Sequence, residues 1–155
     1  MNDFERRLLD VYSNSSWLAG VVSKSKEIID IDYFTYPVTI ENVASGASAS
    51  ASIQIQSDSV FALTYMSGNQ VVNNAVVNNP VTTLQITDTG SGKTFFSTPA
   101  LFGLVMGTAG QPFLLPQPRV IPPNVNITFN LTNVFSAAAA TYYISLMGAR
   151  IYYAS

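Results

Sequence analysis

The chain has 155 residues, carries Lys, Arg, Asp or Glu at only 10% of its positions, and is 48% hydrophobic. Ordinary soluble domains are charged at about 25% of positions, so we expect much of this surface to be covered by other protein. Cysteine and histidine are both absent, which excludes disulfides, thiolate metal sites and histidine-based general-base catalysis.

The few charges are concentrated at one end of the chain, with eleven of the sixteen in the first 41 positions and a net charge of −2. Basic residues occur singly, which is not the pattern that phosphate binding requires. The N-terminus mixes acids and bases, unlike a signal peptide, and no apolar run approaches the roughly 20 residues of a membrane span. We therefore expect neither nucleic acid nor a membrane as a partner, no cofactor, and synthesis in the cytoplasm.

Residues 1–32 are predicted to form a short helical arm. Phe4, Leu8 and Tyr12 recur at helical spacing, and Asn2 with Glu5 resembles a capping box. Trp17 begins a second apolar turn after a serine-rich break. A short helix needs tertiary support, so the arm is expected to pack either on its own domain or on a neighbouring molecule.

From residue 33 the pattern changes to period-two alternation with turn residues at intervals, which predicts an all-β domain over residues 33–155. Eight strands are expected, the number in a jelly roll: Tyr33–Ile40, Ala51–Gln56, Val60–Met66, Thr82–Asp88, Lys93–Phe96, Leu101–Met106, Asn126–Asn133 and Tyr142–Tyr153. The strand Asn126–Asn133 is expected to have one buried face and one polar, uncharged face. The last strand keeps one apolar face only if an extra residue is inserted near Gly148, which predicts a β-bulge there.

Proline is concentrated between positions 112 and 123. Proline fixes φ and lacks an N–H group, so this segment cannot be a central strand. We expect it to run extended along a sheet edge or across a subunit boundary, with Pro116, Pro118 and Pro122 as candidate partner-binding residues. Phe4, Leu8, Tyr12 and Trp17 of the arm are the other candidates.

Motifs that could support chemistry have simpler explanations. The sequence Gly90-Ser91-Gly92-Lys93-Thr94 lacks the glycine spacing of a P-loop and is interpreted as a hairpin turn. Asp58 and Asp88 are the only carboxylates well inside the β-domain, and both occupy positions where aspartate caps turns. A glycan-degrading enzyme would need these two carboxylates in one cleft, and we predict no catalytic residue and no metal ligand.

The C-terminal half carries a resemblance. Pro122-Pro123-Asn124, the strand ending Asn130-Leu131-Thr132-Asn133, and Tyr143–Arg150 together resemble jelly-roll auxiliary structural proteins of tailed bacteriophages, over residues 81–155. That family includes capsid cement or decoration proteins and head-fibre bases. The resemblance implies an eight-stranded jelly-roll sandwich without enzymatic activity. It also implies a location on the capsid surface of the virion and binding to the major capsid protein or another virion protein as a homo-oligomer, with a trimer favoured and a dimer possible.

A second function is compatible with the same residues. Tyrosine rings stack on sugar rings because the ring face is apolar and its edge carries a hydroxyl. Tyr142, Tyr143, Tyr152 and Tyr153 could serve a glycan- or receptor-binding module at a fibre or adhesin tip, although strand alternation places part of this set in the core.

Overall fold

The structure is a computed structural model that describes residues 28–78, 80–108, 110–134 and 138–153. It is all-β, with two antiparallel five-stranded sheets packed as a β-sandwich. Sheet A contains β1 (Ile28–Val43), β3 (Ser59–Val72), β4 (Ala75–Val76), β8 (Phe113–Ile121) and β10 (Ala140–Tyr153). Sheet B contains β2 (Ser48–Gln54), β5 (Thr82–Asp88), β6 (Lys93–Thr94), β7 (Ala100–Leu101) and β9 (Asn126–Asn133).

The strand order defines which strands have an open side. In sheet A the order is β1-β10-β3, and both β4 and β8 then pair with β3. In sheet B the order is β2-β9-β5, and the short strands β6 and β7 both pair with β5. Therefore β1, β2 and β8 are the long edge strands of the described fold.

Alternating side chains from the two sheets meet in one main core. In β9 the odd positions from Ile127 to Asn133 are buried while the even positions are exposed or half-buried, which confirms the expected buried and polar faces of this strand. The large side chains that are fully buried include Phe61, Leu63, Met66, Phe102, Phe129 and Tyr142.

The described residues form ten strands rather than the expected eight. Two of the predicted strands have the predicted bounds, and others differ for local reasons. Thr82–Asp88 and Asn126–Asn133 are confirmed. The prediction of a strand over Leu101–Met106 is wrong, because the chain forms a short helix, α1 (Phe102–Val105), instead. A strand would place Leu104 on the same side as Phe102 and Met106, whereas Leu104 is 71% exposed and the other two are buried.

The boundary between arm and domain also shifts. Because β1 begins at Ile28, residues 28–32 belong to the first strand rather than to the arm. The remainder of the expected helical arm lies outside the described residues.

The proline-rich segment forms β8, which is absent from the predicted strands, and it runs along the edge of sheet A as expected. Its pairing with β3 joins Leu63 to Arg119 and then Tyr65 to Leu114. Four residues of β8, including Pro116 and Pro118, therefore lie opposite a single residue of β3. Proline is tolerated here because an edge strand can dispense with some N–H donors.

The β-bulge lies at Gly148, but the extra residue is in the neighbouring strand. Met147 pairs with Tyr65 and Gly148 with Leu63, so Thr64 of β3 is the inserted residue, and its hydroxyl donates to the Met147 carbonyl over 3.1 Å. Pairing of β10 with β1 continues through Gly148 without a shift. Consequently Ile151 does not rejoin the face of Ile144, which corrects the sequence prediction, but lies on the opposite face of sheet A.

Candidate interaction surfaces

The outward face of sheet B consists of uncharged hydroxyl and amide side chains. The three long strands align them in rows, in which Ser50, Asn130 and Gln85 are neighbours and Ser52, Thr128 and Thr87 form the next row. The Ser52 and Thr128 hydroxyls are 2.8 Å apart, and those of Ser48 and Thr132 are 2.7 Å apart. These bonds hold the side chains in fixed rotamers, which lowers the entropy lost when a partner covers them.

The outward face of sheet A is different, because it carries exposed aromatic residues. Tyr33 is 63% exposed, Tyr143 51% and Tyr65 36%. Tyr33 pairs with Ala149 and Tyr65 with Met147, so the three rings follow β10 over about 20 Å at the usual rise per residue. Leu114 of β8 pairs with Tyr65 and is 59% exposed.

At the end where β1 begins, the same face carries a small buried apolar cluster instead of exposed rings. Ile31, Ala62, Ala149 and Ile151 form a separate buried cluster, the outer cluster, with Ile28 and Tyr153 packed against it. The hydroxyl of Tyr153 is buried without a hydrogen-bond partner in the described structure, and burial raises the pKa of this phenol.

A broad groove of about 1080 Å³ lies between β8 and the turn that joins β5 to β6. Lys93 and Arg119 are its basic residues and Asp88 its acid, while Pro118 and Pro122 line the β8 side. The Arg119 guanidinium carbon lies 3.9 Å from the centre of the Phe95 ring. Burial lowers the pKa of Arg119, and the negative charge of Asp88 opposes that shift.

Asp88 itself caps the hairpin turn, as the sequence predicts. Its Oδ1 accepts the backbone N–H groups of Gly90 at 3.0 Å and Ser91 at 3.1 Å, and its Oδ2 accepts the Ser91 hydroxyl at 2.7 Å. Asp58 lines a different groove, with Gln54 and Asn124. The two carboxylates that a glycan-degrading enzyme would need therefore do not line the same groove.

Charged residues of β1 and β10 form a fixed cluster. Arg150 bonds both carboxylate oxygens of Asp32, from Nε to Oδ1 at 3.0 Å and from Nη2 to Oδ2 at 2.5 Å, and also bonds Gln56. Its guanidinium carbon lies 3.7 Å from the centre of the Phe34 ring. The hydrogen bond to Asp32 raises the pKa of Arg150, against a smaller effect of burial, so the charge of this arginine is already engaged within the fold.

The structure locates only part of the predicted partner-binding set. Phe4, Leu8, Tyr12 and Trp17 lie outside the described residues. Pro116 and Pro122 are exposed on the edge of sheet A and Pro118 is half-buried. Of the four tyrosines considered for stacking, Tyr142 is fully buried in the core and bonds the Thr82 hydroxyl, and only Tyr143 is well exposed.

Sequence reasoning missed Tyr33, Tyr65 and Leu114 as surface residues. The alternation around Tyr33 and Tyr36 shows that one of them faces outward, but period two alone does not say which. The position of Leu114 follows from its pairing with Tyr65, which joins distant segments of the chain.

Within the described ranges there is no group of three or more acidic side chains placed to hold a metal ion. No helix among the described residues has the length and apolar character of a membrane span. Comparison with protein-family models, with curated proteins and with solved structures finds no match to this chain.

Proposed function

We propose that the chain is a non-enzymatic virion structural protein, a capsid cement or decoration protein that binds and stabilises the head lattice of a tailed phage. In this proposal the sandwich is a jelly roll, the partner is the major capsid protein or another virion protein, and the protein acts as a homo-oligomer on the capsid surface.

The observation that supports this proposal best is the uncharged outward face of sheet B, formed by the described residues of β2, β5 and β9. The central core of a protein–protein interface is depleted in charged residues relative to the rest of the surface. A face of short hydroxyl and amide side chains can approach a neighbour closely, and each group can donate or accept a hydrogen bond. Repetition of such modest contacts over a symmetric lattice stabilises a shell without any chemistry.

The edge of sheet A supplies a second contact region. Pro116 and Pro122 are exposed there, and Leu114 adds an apolar side chain next to them. Proline loses little conformational freedom on binding, so an exposed proline-rich strand docks at a low entropic cost. Phe4, Leu8, Tyr12 and Trp17 are proposed to add contacts from the N-terminal arm.

The test is binding of the purified chain to empty heads assembled from the major capsid protein encoded in the same genome. We expect saturable co-sedimentation at a ratio set by the lattice symmetry, and a higher temperature of head disruption. Pro116→Lys should weaken binding, while Gln111→Lys, at an exposed loop position near β8, should not. Failure to co-sediment at any ratio would contradict the proposal.

A glycan- or receptor-binding module is the second candidate, because Tyr33, Tyr65 and Tyr143 are exposed on one face. Their span of about 20 Å suits an extended oligosaccharide rather than a single sugar. Titration of an oligosaccharide panel would test this function. Tyr65→Ala should weaken a true ligand about tenfold, whereas Val134→Ala, at an exposed position directly after β9 of sheet B, should leave its affinity unchanged.

A further inference from the structure

The strand β2 is an edge strand without the features that usually protect one. Its seven residues, Ser-Ala-Ser-Ala-Ser-Ile-Gln, include no proline and no charge, and its pairing with β9 runs without a register shift. Natural proteins block exposed edges with charges, prolines, bulges or very short strands, since an open edge is a template for another strand.

The other edges of the described fold are all blocked. β1 contains Pro37, Asp32 and Glu41 and has two irregularities in its register. β8 contains Pro116 and Pro118, and its pairing is interrupted. The strands β4, β6 and β7 have two residues each. The open edge of β2 is therefore a specific feature of this molecule.

The hydrogen-bond pattern shows which backbone groups of β2 are available. Asn133 donates its N–H to the Ala47 carbonyl, and Ile55 donates to the Val125 carbonyl. Bonded positions alternate along an antiparallel pair, so positions 49, 51 and 53 bond β9. The N–H and C=O groups of Ser48, Ser50, Ser52 and Gln54 consequently point to the open side, and all four residues are exposed.

We infer that β2 pairs with β2 of a second copy of this chain, antiparallel, about a twofold axis at Ala51. This register matches Ser50 to Ser52 of the partner copy and Ser48 to Gln54, so all four free positions on each strand are bonded. On the inner face the small Ala49 meets the larger Ile53 of the second copy, and Ala51 meets its own counterpart.

A second copy fits this edge better than an unrelated strand because the strand is complementary to itself. A twofold interface uses the same patch on both copies, so a charge close to the axis would face the same charge of the partner copy, and β2 has no charged residue. The polar rows of sheet B also continue across the axis, since serines face serines and Gln54 faces Ser48. With this pairing, the homo-oligomer of the proposed function is a dimer. The pairing itself rests on the geometry of β2 and does not require a capsid.

The first test is sedimentation velocity of the full chain over a wide concentration range without capsids. We expect a dimer of twice the 16.7 kDa chain mass. Ser50→Lys adds one positive charge to the edge strand of each copy, so each dimer contains two lysines at the β2–β2 contact. This change should weaken association at least tenfold. Asn130→Lys is the matched control, because it places the same charge on the same face one strand away from the edge.

The second test uses the absence of native cysteine. Ala51→Cys places two thiols opposite each other at a non-hydrogen-bonded pair, where Cβ atoms are about 4.5–5.5 Å apart, close to disulfide geometry. Mild oxidation should link this variant rapidly. Ser48→Cys on the same strand should not link, because its counterpart would be about 20 Å away.

Three results would overturn the inference: a monomer at every concentration, equal weakening by Ser50→Lys and Asn130→Lys, or equal cross-linking of the two cysteine variants. A monomer that still binds heads would overturn the pairing of β2 strands and leave only the head binding of the proposed function intact. A stable dimer that fails to bind heads would leave the pairing intact and contradict the proposed function.

Discussion

Gly148 of β10 lies so close to Ala62 of β3 that a Cβ atom at position 148 would be 2.0 Å from the Ala62 carbonyl oxygen. The close approach occurs where Thr64 is inserted into β3. The two backbones approach closely at this bulge, and only a residue without a side chain fits at position 148.

Gly148→Ala should therefore destabilise the fold by about 3 kcal/mol, since the clash is with backbone and cannot be relieved by a rotamer change. Urea unfolding followed by tyrosine fluorescence measures the difference. Gly110→Ala is the control, because nothing lies within 4 Å of a Cβ there, and its effect should be within about 0.5 kcal/mol. Equal effects of the two substitutions would show that β3 and β10 are not this close.

Removal of the Tyr153 hydroxyl should stabilise the protein. This group is buried without a partner in the described structure, and an unsatisfied buried donor costs about 1–3 kcal/mol. We expect Tyr153→Phe to raise the free energy of unfolding by about 1 kcal/mol, measured by thermal and urea denaturation.

The matched control for that prediction is Tyr142→Phe. The Tyr142 hydroxyl lies 2.8 Å from the Thr82 hydroxyl, so its removal breaks a buried hydrogen bond and should lower stability by about 1 kcal/mol. If both variants change stability in the same direction, the two hydroxyls do not differ in hydrogen bonding as described.

Stability should fall at alkaline pH. Burial raises the pKa of Tyr142, Tyr152 and Tyr153 above the ordinary tyrosine value of 10.0. The unfolded chain therefore releases these protons at a lower pH than the folded chain does, and stability is retained below about pH 10 and lost as the pH rises through the folded-state pKa values.

The measurement is the urea midpoint between about pH 8 and pH 11, a range that spans the ordinary tyrosine pKa. Tyr153→Phe should make the alkaline decline less steep, because one of the groups with a raised pKa is removed. A midpoint that stays constant across this range would contradict the prediction.

Arg150→Lys should destabilise the sandwich by about 1 kcal/mol, because an ammonium cannot bond both oxygens of Asp32 or stack flat on Phe34. The Asp32 side chain is 40% exposed, so salt should weaken the ionic part. We expect the stability difference between the parent protein and the Arg150→Lys variant to shrink but persist in about 1 M NaCl. Its complete disappearance in salt would show that stacking on Phe34 contributes nothing.

Sequence alternation identifies strands well where polar and apolar residues alternate strictly. Thr82–Asp88 and Asn126–Asn133 are predicted to the residue because one face is apolar and the other carries hydroxyls and amides. The run from Phe102 to Met106 is almost wholly apolar, so its period is ambiguous, and a short helix satisfies the burial of both ends. The strand β8 is not predicted because prolines are unfavourable within strands. The same prolines nevertheless predict that this segment lies at the edge of a sheet.

The surfaces are harder to predict because they depend on long-range pairing. Asp88 and Arg119 line the same groove only because β8 packs beside the β5–β6 turn. The exposed residues Tyr33, Tyr65 and Tyr143 come from three strands that are distant in sequence. The sequence predicts the bulge at Gly148, but the inserted residue is Thr64, since a mismatch between two strands can be absorbed by either of them.

The unequal protection of the edges bears on how far an assembly could grow. Among the described strands, a pair that joined two β2 strands would bury the one unprotected edge of each copy and leave in solvent only edges that are interrupted by prolines, charges or short strands. Further strands could not add to such a pair in register. Association would then end at a closed unit rather than continue into a fibre, and a high local concentration of this chain would carry little risk of aggregation.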